Sequence, residues 1–202
     1  MPTTEISNHA IYVIAREQYL KGLLELDILT QEQFEQMDRF MYKRLNISEI
    51  ENYSYPTQDI SPVNTLRSKD KQQTTQVLPK PDSGYVSLTD MARQYNNENP
   101  GYVIQSWIRN PNTFELLHLW ESANNTEYKE QGYEEIKEGT PTSSLTPKRW
   151  IENTGAIGII SRQGQNGGTY AHPVIAGDFL TWLSPKFKLL MLEFQKGFVG
   201  NS

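Results

Sequence analysis

The stretch Thr146–Trp182 reads TPKRWIENTGAIGIISRQGQNGGTYAHPVIAGDFLTW, and it decides the fold because it contains three consecutive elements with clear boundaries. Thr146 followed by Pro147 is typical of a helix start, and Gly155 is typical of a helix end. A β-rich run, a glycine-containing turn and a second β-rich run follow, and they predict a β-hairpin over 156–161, 165–168 and 169–171. Pro173 then begins a second helix.

A helix followed by a glycine-tipped hairpin is the arrangement of winged-helix DNA-binding proteins. Lys148 and Arg149 lie in the first helical turn, where cations oppose the helix dipole but where free N–H groups and two positive charges suit a phosphate. The hairpin tip has no apolar residue, and its polar side chains and glycines suit close contact with bases or phosphates. The alternatives are a solvated helix start and an ordinary polar turn.

Apolar residues at helical spacing predict further helices from about Ser83 onward. We expect the four tryptophans, Trp107, Trp120, Trp150 and Trp182, to pack in the core rather than to stack on bases. The polar region 122–145 carries a predicted strand at Tyr133–Lys137. The acids between Glu121 and Glu138 lack the ligand spacing of a calcium loop, so we expect a solvated acidic surface there.

Four segments occur in an order and spacing that resemble the KilA-N domain of bacteriophages and large DNA viruses. They are YVSLTDMAR, VIQSWIRNPNTFELLHLWE, SLTPKRWIENTGAIGIISRQGQNGGTYAH and FLTWLSPKFKLLMLEFQ, and the resemblance covers about residues 83–198. The resemblance implies an α+β DNA-binding domain related to the APSES domain of fungal transcription factors. It also implies a small sheet that includes the winged-helix-like hairpin at 156–171.

The resemblance implies that DNA contacts lie in the segments TPKRW and SRQGQNGGTYAH. The expected DNA-binding residues are Lys148, Arg149, Arg162, Gln163, Gln165, Asn166, Gly167, Gly168, Thr169 and His172. For His172, capping of the next helix is an equal alternative. The chain departs from the pattern of this family at Pro173, where relatives often carry a lysine or another polar residue, and near Gly177, where they often carry a charged or aromatic one.

Residues 1–46 predict a helical hairpin that resembles the short SHOCT module. Thr30 and Gln33 form a capping box for its second helix, which follows a break at 27–29. Two helices of this size hide little apolar surface alone, so we expect residues 11–45 to dock on the main domain, to form a homo-oligomer or to bind a protein partner. Residues 47–82 are rich in polar residues and proline and predict a flexible linker.

Composition excludes several classes of protein. The 202 residues contain no cysteine and only three histidines, which excludes disulfides and disfavours a zinc site. We find neither an apolar run near the ~18 residues of a membrane span nor a signal peptide, so we expect a soluble protein in the cytoplasm of a bacterium or infected host cell. The net charge of −5 excludes a large basic stripe, although residues 146–188 carry three more cations than anions.

These observations predict a non-enzymatic α+β protein that binds double-stranded DNA and regulates transcription in a phage or another mobile genetic element. We expect no cofactor, metal, membrane or small-molecule substrate. The alternative is a protein–protein interaction module that keeps the fold without DNA affinity. A nuclease ranks third, because it needs a carboxylate cluster that binds Mg²⁺.

Overall fold

The structure is a computed structural model that describes residues 7–47, 84–139, 144–164 and 167–199. In chain order, its elements are α1 (Asn8–Ile14), a π-helical segment π1 (Ala15–Leu20), α2 (Lys21–Glu25), α3 (Gln31–Arg44), β1 (Val86–Ser87), α4 (Leu88–Tyr95), α5 (Pro100–Ile108), α6 (Pro111–Asn124), α7 (Glu130–Gly139), α8 (Pro147–Thr154), β2 (Ile159–Arg162), β3 (Gly168–Ala171), α9 (Pro173–Leu183) and α10 (Pro185–Val199). All of the predicted linker except Ile47 lies outside the described residues.

A small antiparallel sheet carries the predicted hairpin. Over the described residues the sheet has three strands in the order β1-β3-β2. Ala171 pairs with both Val86 and Ile159, and Arg162 pairs with Gly168 at the far end of the hairpin. The remaining elements are helices, so the α+β class expected from the sequence is confirmed.

The helix boundaries around the hairpin follow from local side chains. The Thr146 hydroxyl accepts a hydrogen bond from the Arg149 N–H, and Pro147 occupies the first turn of α8. Gly155 ends α8 with a φ of 65°, in the left-handed region that glycine adopts readily. The capping box of Thr30 and Gln33 at the start of α3 is also present. These predictions from the sequence are confirmed.

The N-terminal arm, which we define as α1, π1, α2 and α3, packs on the last two helices of the chain. The Tyr19 ring lies 5.9 Å from the Phe187 ring, and the Phe40 ring lies 5.3 Å from the Phe194 ring, measured between centroids. Buried residues of the arm and of the main domain belong to one hydrophobic core. Docking on the main domain is therefore the arrangement that this structure shows.

Glycines allow this close approach at two points. A Cβ on Gly177 would lie 2.7 Å from the Tyr19 ring, and a Cβ on Gly22 would lie 3.0 Å from the Pro173 ring. Pro173 and Gly177 both lie on α9, underneath the arm. Pro173 and Gly177, where we expect the sequence to differ from the KilA-N pattern that it resembles, thus lie on the surface that receives the arm.

Three expectations about the main domain are wrong. The predicted strand at Tyr133–Lys137 is part of α7, because Tyr133 and Ile136 are one helical turn apart and both are buried. Glu121 is fully buried rather than part of a solvated surface. Trp182 keeps 37% of its surface exposed, although its ring stacks on that of Phe179 with 6.3 Å between the centroids.

Candidate nucleic-acid interface

The start of α8 presents two of the predicted site residues. Lys148 is 58% exposed, and its Nζ lies 3.6 Å from the Glu152 carboxylate one turn further along. Arg149 donates through Nη1 to the Ser144 hydroxyl at 3.3 Å. The Thr146 cap occupies the Arg149 N–H, which is one of the helix N–H groups expected from the sequence to bind a phosphate. The two side-chain cations remain at the surface.

Arg109 brings a third cation to the same place. Its Nε donates to the Leu145 carbonyl at 3.0 Å, directly before the helix cap, and its Nη2 donates to Gln105 at 3.0 Å. We call Arg109, Lys148 and Arg149 the helix-start cluster. From the sequence, Arg109 is expected at a helix end, with a phosphate contact as the lesser alternative. Its place beside α8 has no local signal, because the contact with Leu145 joins residues 36 positions apart.

The hairpin tip is exposed and tightly turned. Residues 161–164 are exposed, and Gly164 has a φ of 108°. The Gly167 N–H donates to the Gly164 carbonyl at 2.9 Å, and a Cβ on Gly167 would lie 2.4 Å from the Arg162 carbonyl oxygen. Only glycine fits at position 167 in this turn. Gln165 and Asn166 are also predicted as site residues, and they lie outside the described residues.

Helix α4 supports the hairpin from below. The Thr169 N–H donates to the Thr89 hydroxyl at 2.9 Å, and the Thr169 side chain is almost fully buried. Gly168, next to it, is half-buried at the end of β3. Among the predicted hairpin residues that the structure describes, the outward-facing side chains are therefore Arg162 and Gln163.

Arg93 lies on α4, which contacts β3, and Arg162 pairs with Gly168 of that strand. Burial and the charge of Asp90 raise the pKa of Tyr170, whereas the charges of Arg162 and Arg93 lower it, so both cations act on the same hydroxyl. Arg93 also donates to the buried Asp90 at 2.9 Å. We call Arg93 and Arg162 the hairpin cluster. Sequence reasoning misses Arg93 because the strand pairing that brings it near Arg162 is not local.

His172 lies at the base of the hairpin, at the opposite end from the tip. Its Nδ1 accepts the Val174 N–H at 3.3 Å and so caps α9. The ring packs 4.9 Å from the Trp120 ring, and burial lowers the pKa of His172. The capping alternative is what the structure shows, and a phosphate contact from the rest of the ring stays a prediction.

The described residues carry neither of two other kinds of site. Among them, no group of three or more histidines, aspartates or glutamates could hold a metal ion. None of the helices in these parts of the chain is both long and apolar enough to cross a membrane.

Cations at a helix start and on an adjoining β-hairpin are the arrangement found in winged-helix DNA-binding domains. Residues 69–198, nearly two thirds of the chain, match the family model of the KilA-N domain. The chain therefore belongs to the KilA-N family of DNA-binding domains, and DNA binding is its general role. Comparison with curated proteins and with solved structures gives no match.

Proposed function

We propose that this chain binds duplex DNA as a regulator in a phage or another mobile element, through the helix-start cluster and the hairpin cluster. The observation that carries the proposal is that both clusters present cations on neighbouring elements of a KilA-N domain. Helix α8 contacts β2, and residues 155–158 connect the two without an intervening element.

The two clusters have different roles in this proposal. The helix-start cluster supplies positive charge to phosphates, which gives affinity and orientation without sequence information. The hairpin acts as the wing, and Arg162 and Gln163 are the side chains that reach a groove. An arginine that donates in pairs to a guanine edge is the commonest specific contact, so Arg162 is the residue that we assign to sequence reading.

The acidic remainder of the chain limits non-specific binding. The net charge of the chain is −5. Helix α7, which contacts α8, has the sequence EQGYEEIKEG, in which glutamates outnumber the single lysine. A protein with this charge distribution is repelled by phosphates except where the two clusters lie. Discrimination between sites then depends on the hairpin rather than on a general attraction to DNA.

Selection of bound sequences from a random duplex pool tests the proposal. We expect one enriched motif, and the spacing of repeated half-sites within it also reports any pairing of copies. The matched control is the triple variant Lys148→Ala, Arg149→Ala, Arg162→Ala, which should enrich no motif. A reporter gene with the selected motif at its promoter should change expression with the wild-type chain and not with the triple variant.

A protein-interaction module is the second candidate, and exposed leucines favour it. Leu189 and Leu192 lie one turn apart on α10, and each keeps more than half of its surface exposed. If the random pool shows no enrichment and mixed-sequence duplex shows no shift at low salt, the DNA-binding proposal fails and this candidate replaces it.

A further inference from the structure

The joint, which we define as residues 155–158 between α8 and β2, is held by a buried carboxylate. Glu121 projects from α6 and is fully buried. Its Oε1 accepts the Gly158 N–H at 2.7 Å, and its Oε2 accepts the Ile157 N–H at 3.1 Å. Hydrogen bonds to a charged acceptor are stronger than neutral ones, so this pair fixes the path of the backbone.

Other elements hold the remaining polar groups of the joint. Asn125 donates to the Glu121 carboxylate at 2.8 Å and to the Gly155 carbonyl at 3.0 Å. The Tyr85 hydroxyl donates to the Ile157 carbonyl at 2.8 Å, and the His172 N–H donates to the Gly158 carbonyl at 2.8 Å. The joint is therefore bonded to α6, to the residue before β1 and to the start of α9.

The joint is also tightly packed at Gly158. A Cβ on Gly158 would lie 2.5 Å from the Ile175 side chain and 2.7 Å from the Trp120 ring. The backbone at Gly158 thus lies directly against α6 and α9. Close packing of this kind restricts backbone movement in addition to the hydrogen bonds.

We propose that Glu121 is a positioning residue for DNA binding, because it fixes the direction in which the hairpin leaves α8. This inference rests on the proposed function, in which the helix-start cluster and the hairpin cluster contact one duplex. When the two clusters are held rigidly together, binding of one cluster to the duplex raises the effective concentration of the other cluster at its own site on the DNA. A buried anion then strengthens the binding of a polyanion without touching it.

The variant Glu121→Gln tests this role. Its amide oxygen still accepts one N–H of the joint, but its NH₂ group faces the other N–H and loosens the backbone. We expect binding to a fluorescein-labelled duplex of mixed sequence to weaken about tenfold. In a chain that already carries Arg162→Ala and Gln163→Ala, the same substitution should leave the affinity unchanged, because the hairpin then has no DNA-contacting side chain for Glu121 to position.

Comparing the effect of Glu121→Gln on affinity in the wild-type chain and in the Arg162→Ala, Gln163→Ala chain separates a positioning role from damage to the fold. General structural damage would weaken binding equally in both backgrounds, and that result would overturn the inference. Glu115→Gln is the matched control, because it removes the same charge from the same helix. Glu115 is exposed, and its carboxylate accepts a hydrogen bond from the Tyr133 hydroxyl at 2.7 Å. Removal of an anion alone favours phosphate binding, so Glu115→Gln should not weaken it.

If Glu121→Gln does not fold, the variant Tyr85→Phe tests whether the hydrogen bonds of the joint affect DNA binding. It removes one donor to the joint and leaves the buried carboxylate in place, so we expect a smaller decrease in affinity with the same dependence on background. Equal affinity of wild type and Tyr85→Phe would then overturn the inference. If the triple variant that lacks Lys148, Arg149 and Arg162 binds as tightly as wild type, the proposed function fails instead.

Discussion

His172 is a residue whose protonation should change the stability of the fold. Burial lowers the pKa of His172 below its usual value of about 6.5, and its Nδ1 must be unprotonated to accept the Val174 N–H. A lowered pKa means that the stabilisation is complete above about pH 6.5 and is lost as the pH falls through the folded-state pKa. Acid should therefore weaken the fold in this window.

The variant His172→Asn checks this prediction, because asparagine also caps helices and does not titrate. We expect wild type to have the larger free energy of unfolding at neutral pH, since the ring also packs on Trp120. The difference between the two proteins should shrink as the pH falls from about 7 to about 5. Urea unfolding at a series of pH values measures it, and a constant difference would contradict the expected pKa.

Asp38 should be far more important for stability than an exposed acid in an ion pair. It is buried, accepts the Tyr12 hydroxyl at 2.7 Å and pairs with Arg16 at 3.1 Å. Removal of one partner from a buried pair costs about 3 kcal/mol, so Asp38→Ala should lower the free energy of unfolding by that amount. The control Glu152→Ala breaks the exposed pair with Lys148 and should change it by less than about 1 kcal/mol. If Asp38→Ala and Glu152→Ala lower the free energy of unfolding by similar amounts in urea, the stabilising role of Asp38 is contradicted.

Residue-level features could be predicted where their cause is local. Thr146, Gly155 and the Thr30 capping box act within one helical turn, so the sequence alone indicates them. Arg109 and Glu121 could not be predicted in their roles, because their partners lie 36 and 37 residues away. Only the tertiary fold brings such residues to the site.

At the scale of elements, the contact between π1 and α9 depends on the absence of a side chain at Gly177. Alanine usually stabilises a helix relative to glycine, but at this position its methyl group would lie 2.7 Å from the Tyr19 ring. We expect Gly177→Ala to cost about 1–3 kcal/mol of unfolding free energy through overpacking. Thermal and urea unfolding measure the change.

Gly101→Ala is the control for this prediction, because it lies in α5 and its nearest neighbour would be 3.9 Å away. It should be neutral or stabilising by up to about 1 kcal/mol. Equal stabilisation by both substitutions would contradict the close contact between Tyr19 of the arm and Gly177 of α9.

The elements themselves were predictable to different degrees. The hairpin and the helices on either side of it have strong turn and capping signals, and the structure contains them. The stretch Tyr133–Lys137 of α7 is wrongly predicted as a strand, because the apolar residues of this helix are few and its sequence is short and polar. Its burial against Phe114, 4.8 Å from the Tyr133 ring, is a tertiary contact that no periodicity reveals.

At the scale of the whole molecule, the arm and the KilA-N domain should unfold together. The family match begins at residue 69, whereas buried residues of the arm share one core with α9 and α10. A chain reduced to residues 69–202 should expose that apolar surface, bind a hydrophobic dye and unfold less cooperatively. A peptide of residues 7–47 added back should reduce dye binding, and an unchanged unfolding midpoint in the shortened chain would contradict the prediction.

The salt dependence of duplex binding tests the central claim most directly. The slope of log affinity against log salt becomes shallower by about 0.9 for each phosphate that the protein no longer neutralises. For Lys148→Ala, Arg149→Ala, Arg162→Ala, we predict a slope shallower than that of wild type by about 2 to 3. The control removes three exposed cations elsewhere, at Arg39, Lys43 and Lys196, and should change the slope by less than about 1. A triple variant that keeps the wild-type slope would contradict the account.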